Sequence, residues 1–306
     1  MRMVVIGGPT ASGKTEAAIR LADQAGGEIV SADSVQVYRH LDIGSAKPTE
    51  EQRRLVLHHM IDVVDPNDPM TAARYADMAH AAIADIQARG KTVIVAGGSG
   101  LYLRALIRGL LSAPQARPKL RRELRATEAR QGPGTLHRML EQVDPRSAAR
   151  LHPADLIRIV RAIEVWKTTG RTMSDLQAEH AFADAPYETR ILCLDPGKEA
   201  LEERLIRRVD EMIDAGLVDE VEQLLAAGWS NGLKPLQSPG YRQALEVLAG
   251  RMTLDEARGA IVTAHRRYAR RQRVWFRSEP GVHWYQGPDD LPYENLAAWI
   301  QSGETA

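Results

Sequence analysis

Eight residues near the start of this 306-residue chain narrow its possible folds more than anything else in it. Gly8-Pro9-Thr10-Ala11-Ser12-Gly13-Lys14-Thr15 fits the pattern G-x-x-x-x-G-K-[ST] and lies between a β-rich run, Met3–Ile6, and a helical stretch, Lys14–Ala25. That context makes it a phosphate-binding P-loop. Glycines 8 and 13 let the backbone curl until its N–H groups converge on phosphate oxygens. The following helix N-terminus adds partial positive charge, and Lys14 adds a full one. The Thr15 hydroxyl is placed to hold Mg²⁺. A phosphate ligand follows from the loop; the chemistry done on it does not.

The rest of the chain agrees with a parallel sheet. Met3–Ile6, Glu28–Ser31, His59–Val64, Thr92–Ala96 and Arg190–Leu194 read as strands. Between them, stretches such as Lys14–Ala25 and Thr71–Arg89 carry apolar residues at helical spacing, as crossover helices do. About ninety residues separate the last two strands, far more than one crossover needs. The surplus carries almost no strand signal and is bounded by Pro114 and Pro118 on one side and Pro186 on the other. Helices are expected at Lys119–Arg130, Thr135–Gln142, Pro145–Leu151 and Ala154–Thr168. After the last strand, Glu199–Ala215, Val218–Ala227, Tyr241–Ala249 and Leu254–Phe276 are further candidates. The fold expected is therefore α/β, a P-loop NTPase-like parallel sheet core (residues 1–112 and 187–306) with a mainly helical inserted domain (residues 113–186).

Composition excludes some classes and hides one signal. There is no apolar run near the roughly 18 residues of a membrane span, and the chain starts directly in a strand, so a cytoplasmic protein without membrane contact is expected. The single cysteine, Cys193, excludes an intramolecular disulfide and a multi-cysteine zinc site, and its apolar surroundings point to a buried thiol. The formal net charge is zero, yet residues 117–171 hold 13 basic against 6 acidic residues, and residues 258–277 hold 7 against none. Phosphate backbones respond to such local fields and not to net charge, so a nucleic acid is a candidate partner.

Asp33 ends the second strand, the sheet edge where open α/β proteins bind ligands. It either coordinates Mg²⁺ through water or takes a proton from an incoming nucleophile. Gly97-Gly98-Ser99-Gly100 follows the fourth strand as a second close-approach turn. The pair His58-His59 has no third ligand at metal spacing and reads as packing or hydrogen-bonding histidines. Arg204 and Arg208 either bind a diphosphate or form an ordinary salt-bridged helix face. Arg266, Arg267, Arg270, Arg271, Arg273 and Arg277 form a stripe, with Tyr268 and Trp275 nearby for stacking.

Taken in order, Gly8–Thr15, Asp33–Arg39, Asp42–Thr49, His58–Pro66, Gly97–Tyr102, His152–Asp155, Val209–Met212, Gly240–Arg242 and Arg267–Arg277 resemble the tRNA dimethylallyltransferase family, also called isopentenyl-tRNA transferases. The resemblance covers nearly the whole chain and is of the compact bacterial type. It implies Mg²⁺-assisted transfer of a dimethylallyl group from dimethylallyl diphosphate to the exocyclic amine of the adenine 3′ of the tRNA anticodon, position 37. In that scheme Thr10 bonds the bridging oxygen and Asp33 accepts the amine proton, while Ser34, Val35 and Gln36 line the base pocket. The family further implies tRNA contacts, through the anticodon stem-loop, at Ser99, Arg121, Ile157, Arg158, Ile159, Val160, Arg161, Gln237, Ser238, Pro239, Gly240, Tyr241 and Arg242. A monomer is expected. The alternative is a P-loop small-metabolite or nucleoside kinase, for which the insert would be a lid.

Overall fold

The computed structural model describes residues 1–111, 114, 116–180 and 186–302; the side chain of residue 180 lies outside that set. The chain groups into two compact units, one of Met1–Ile107 with Pro186–Ala306 and one of Arg108–Ala185. The expected boundary between residues 112 and 113 falls outside the described residues.

The first unit is built on six parallel strands: β1 (Arg2–Gly7), β2 (Gly27–Ser31), β3 (His58–His59), β4 (Thr92–Ala96), β5 (Glu188–Leu194) and β6 (Val282–Tyr285), in the order β3-β2-β4-β1-β5-β6. Val5 lies opposite Val95 on one side and Ile191 on the other, so β1 is central. Alternation along the strands sorts the core into two layers. Val4, Ile6, Ile29, Ile94, Leu192 and Leu194 face the helices Lys14–Ala25 and Tyr293–Gln301. Met3, Val5, Val30, Val93, Val95, Ile191 and Cys193 face the opposite way, towards the helices Ala72–Ala88, Lys198–Asp214 and Leu254–Ser278. Burial on both faces explains why these strands read as continuous apolar runs. It also raises the Cys193 thiol to about 12, in keeping with an inert buried cysteine.

Two strand expectations change. The run His59–Val64 does not continue as one strand: β3 holds only His58–His59 and Val64 returns as an isolated parallel bridge to Tyr38, because Met60 (φ 63°) and Asp62 (φ 56°) turn into the left-handed region and the Asp62 carboxylate is tied to Lys47 and Arg53. β6 escapes a pattern reading because it is a four-residue edge strand with exposed His283 and Trp284. In the second unit, the helices Pro118–Gln131, Thr135–Val143, Pro145–Arg150, Leu156–Thr169 and Met173–His180 enclose a core of Leu124, Leu136, Leu140, Ile159 and Ile163. No helix among the described residues is long and apolar enough to cross a membrane.

Candidate active site

The P-loop connects β1 to the helix Lys14–Ala25, and its backbone is what a phosphate cradle needs. Gly8 (φ 141°), Ala11 (φ 63°) and Gly13 (φ 94°) all occupy positive φ. At Gly8 a Cβ would lie 2.4 Å from the Leu194 carbonyl oxygen, so only glycine fits. Ala11 pays about 1–3 kcal/mol for its conformation, the kind of strain kept at functional sites. Gln272 holds this loop against its neighbour. Its Oε1 accepts from Thr10 N (2.8 Å) and its Nε2 donates to Gly98 O (3.0 Å), tying the P-loop to the turn after β4.

A cavity of about 210 Å³ opens at the C-terminal edge of the sheet, where Thr10, Lys14, Thr15, Asp33, Ser34, Val35 and Gln36 come together. Arg208, Ser238, Pro239, His265, Tyr268, Arg271 and Gln272 line its other walls. Asp33 is held by its own turn, with Oδ1 accepting from Val35 N (2.8 Å) and Gln36 N (3.3 Å). Its Oδ2 takes no hydrogen bond among the described residues, which leaves one carboxylate oxygen for a ligand.

The cavity is rich in positive charge and short of anions. Burial, and next to it Arg208, lowers Lys14 to about 8. Burial also depresses Arg208 below the usual guanidinium range, and Nε of Arg208 is buried without a hydrogen-bond partner among the described residues. Asp33 is the one carboxylate lining the cavity among the described residues. Burial, followed by the Asp33 carboxylate, raises the Tyr268 phenol, so its hydroxyl stays protonated. Such a site favours a polyanion.

Not every residue anticipated from the sequence faces this cavity. Arg204 donates to Ser12 O (3.4 Å) and supports the P-loop backbone, whereas Arg208 lines the cavity, which separates the two. Ser99 is buried, and its Oγ accepts from Ser34 N (2.9 Å), which braces the cavity wall beside Asp33. The Gln36 amide is spent, donating to Ser45 O and Ala46 O and meeting Ser31 Oγ. Tyr241 is fully buried, with its hydroxyl donating to Glu220 (2.7 Å), and Gly240 is buried beside it. Gln237 and Arg242 are exposed, though the Gln237 amide donates to Asn231 O (2.9 Å).

In the helical unit, Ile159 and Val160 are core residues whose side chains cannot reach RNA. Arg121 makes a two-pronged pair with the fully buried Glu164 (2.9 and 2.8 Å), and Arg161 joins the same carboxylate. Their first task is to neutralise Glu164. Ile157 is 75% exposed, and Arg158, though paired with Asp155, is exposed as well. The arginine stripe is likewise divided. Arg266 and Arg273 pair with Glu202 and Asp195, while Arg267, Arg270 and Arg277 are exposed and make no ion pair among the described residues.

The family model described as IPP transferase matches residues 36–279. The chain belongs to the IPP transferase family. Its relatives include the tRNA dimethylallyltransferase of Anaeromyxobacter dehalogenans, 50% identical over 290 residues, covering 95% of this chain and 96% of the relative. The tRNA dimethylallyltransferase of Geobacter metallireducens is 50% identical over 287 residues, covering 94% and 93%. Among solved structures, the full-length tRNA isopentenylpyrophosphate transferase of Bacillus halodurans is 35% identical with a TM-score of 0.70, covering 99% of this chain and 96% of that one. A eukaryotic dimethylallyltransferase described as acting on tRNA is 28% identical with a TM-score of 0.79, covering 97% and 77%. The kinase alternative loses its footing with these matches.

His265 and Gln272 line the cavity without any motif of their own in the sequence. Both sit on the buried face of the helix Leu254–Ser278, at the spacing of Ile261, Ala269 and Phe276. A histidine and a glutamine at otherwise apolar positions of an amphipathic helix are a detectable anomaly, since buried polar groups require partners.

Proposed function

We propose that the chain transfers a dimethylallyl group from dimethylallyl diphosphate to the exocyclic amine of the adenine 3′ of a tRNA anticodon, position 37, releasing diphosphate. The observation that carries this reading is the opposition, across one cavity, of a P-loop with two anion-deficient cations and a carboxylate with one oxygen unengaged. The P-loop amides, Lys14 and Arg208 hold the diphosphate and stabilise the charge that builds on it as the allylic carbon–oxygen bond breaks. Thr10, which lines the same cavity, is assigned to the bridging oxygen. The adenine amine attacks the allylic carbon, and its proton passes to Asp33 Oδ2. An amine whose lone pair is delocalised into a ring gains about 10²–10⁴-fold from such a base.

Mg²⁺ suits the donors present. The Thr15 hydroxyl offers one oxygen beside the phosphate cradle, and among the described residues no group of three or more His, Cys, Asp or Glu forms a protein cage. That is the pattern of a cation that keeps waters and takes phosphate oxygens as ligands. When bound it would neutralise part of the diphosphate charge, with Thr15 as its protein ligand.

The tRNA anticodon stem-loop is assigned to the exposed cations: Arg267, Arg270 and Arg277 in the first unit, and Arg158 with its neighbours in the helical unit, whose charge excess is 13 against 6 over residues 117–171. A target base must leave its stack to reach a site at a sheet edge. We place the enzyme in the cytoplasm as a monomer. Incubation with labelled dimethylallyl diphosphate and either an anticodon stem-loop or free adenine nucleotides tests the acceptor. Label confined to the stem-loop is expected; label on free nucleotides alone would contradict the assignment.

A further inference from the structure

We propose that His265 is an additional diphosphate-binding residue of this cavity, one that is neutral while the site is empty and takes up a proton from solvent when diphosphate enters. The inference rests on the diphosphate reading above and adds a residue and a proton to it.

His265 lies one turn before Tyr268 and two before Gln272 on the inward face of the helix Leu254–Ser278, and it lines the same cavity as Thr10, Lys14 and Arg208. It is only 6% exposed, yet neither Nδ1 nor Nε2 has a hydrogen-bond partner among the described residues. Buried imidazoles in finished cores spend at least one nitrogen on a neighbour. His137 and His59 do so here, against backbone carbonyls and Glu28 respectively. An imidazole with both nitrogens idle beside a cavity is one whose partner arrives from outside.

The surrounding charges say what that partner is. The titratable and charged groups sharing the cavity are Lys14 from the P-loop helix, Arg208 from the helix Lys198–Asp214, Asp33 after β2, His58 from β3, and Tyr268 and Arg271 from the helix of His265 itself. Apart from Asp33 these are cations, neutral histidines or a protonated phenol. Burial first, and Arg208 second, hold His265 at about 4, so it is neutral near pH 7. A diphosphate offers only acceptors and reverses the local potential that Arg208 sets. An imidazolium offers two donors and no acceptor, which matches it. Filling the site therefore favours the charged form, and its departure returns the proton to water. The step forms one N–H bond on the imidazole at the expense of the bond that held the proton on hydronium or a buffer acid, and no bond of the diphosphate changes.

The test uses the full chain with inorganic diphosphate as the probe, and reads imidazole nitrogens by ¹⁵N NMR near neutral pH, with His265→Gln and His265→Asn each identifying the signal by its loss. Without diphosphate the His265 nitrogens should resonate as a neutral pair, and saturation should move both to imidazolium positions. Calorimetry of the wild-type chain in buffers of different ionisation enthalpy should show net proton uptake, which needs no variant. His265→Gln should lose that uptake and bind diphosphate about tenfold more weakly. A His265 that stays neutral in the complex, or a variant with unchanged affinity and uptake, would overturn the inference while leaving the diphosphate site standing. Failure of the wild-type chain to bind diphosphate at all would overturn both.

Discussion

Lys14 shows how one side chain links the fold to a measurable pH profile. Its Nζ donates to Pro9 O (2.6 Å) while burial and Arg208 lower it to about 8. Because this is a cation with a depressed value, the charge that attracts diphosphate is present below pH 8 and is lost as pH rises through it. The prediction is that kcat/KM for dimethylallyl diphosphate, which reports the free enzyme, falls with rising pH above about 8, by up to about tenfold per unit. Lys14→Arg, although weaker overall, should lose that descending limb. A limb that survives in Lys14→Arg would place the titrating group elsewhere.

Elements matter through the contacts that position these side chains, and Glu220 is the clearest case. From the helix Leu217–Ala226 it accepts from the consecutive backbone N–H groups of Asp42 (3.0 Å) and Ile43 (2.7 Å), with a longer contact to Gly44 (3.4 Å) and a bond from Tyr241 (2.7 Å). The loop it grips supplies the carbonyls of Ser45 and Ala46 that hold Gln36 in the cavity wall. Glu220→Ala is therefore expected to raise KM for the RNA substrate several-fold while diphosphate binding stays near wild type. Equal loss of both would make Glu220 a general stabiliser of the fold. In the helical unit, Glu164 is opposed by burial but carried by Arg121, the Arg117 N–H and Arg161 to a net value of about 2. Since its folded value lies below the unfolded one of about 4.3, its stabilisation is complete above that pH and disappears as pH falls through about 2. Arg121→Ala should accordingly cost the unit about 1–3 kcal/mol, seen as lost amide protection in Pro118–Gln131 and Leu156–Thr169. Weaker RNA binding with unchanged protection would restore Arg121 as a direct RNA contact.

Across the molecule, what the sequence discloses is what depends on neighbours in the chain. The P-loop, the doubly buried strands β1, β2, β4 and β5, and the inserted run of helices are all local patterns, and they suffice for the parallel α/β class. The position of Asp33 at the sheet edge is legible for the same reason, whereas the turn that holds its carboxylate is not. What escaped depends on partners distant in sequence. β6 exists because β5 offers an edge to it, and Arg121 is engaged because Glu164 is buried 43 residues away. Ser99 is consumed by Ser34, and His265 enters the cavity only through the packing of its helix. The basic excess over residues 258–277 is a count and not a surface, since Arg258, Arg266 and Arg273 meet Asp210, Glu202 and Asp195 within the unit.

The proposed reaction requires one cavity to serve both a leaving diphosphate and a base at Asp33. Its most direct test is single-turnover transfer from labelled dimethylallyl diphosphate to an anticodon stem-loop, with wild type beside Asp33→Asn and with stem-loop binding measured in parallel. Label should reach the RNA with wild type, while Asp33→Asn should slow transfer by at least about 10²-fold and keep near-normal RNA affinity. Transfer at the wild-type rate by Asp33→Asn, or phosphorylation from labelled ATP with no prenyl transfer by the wild type, would contradict it.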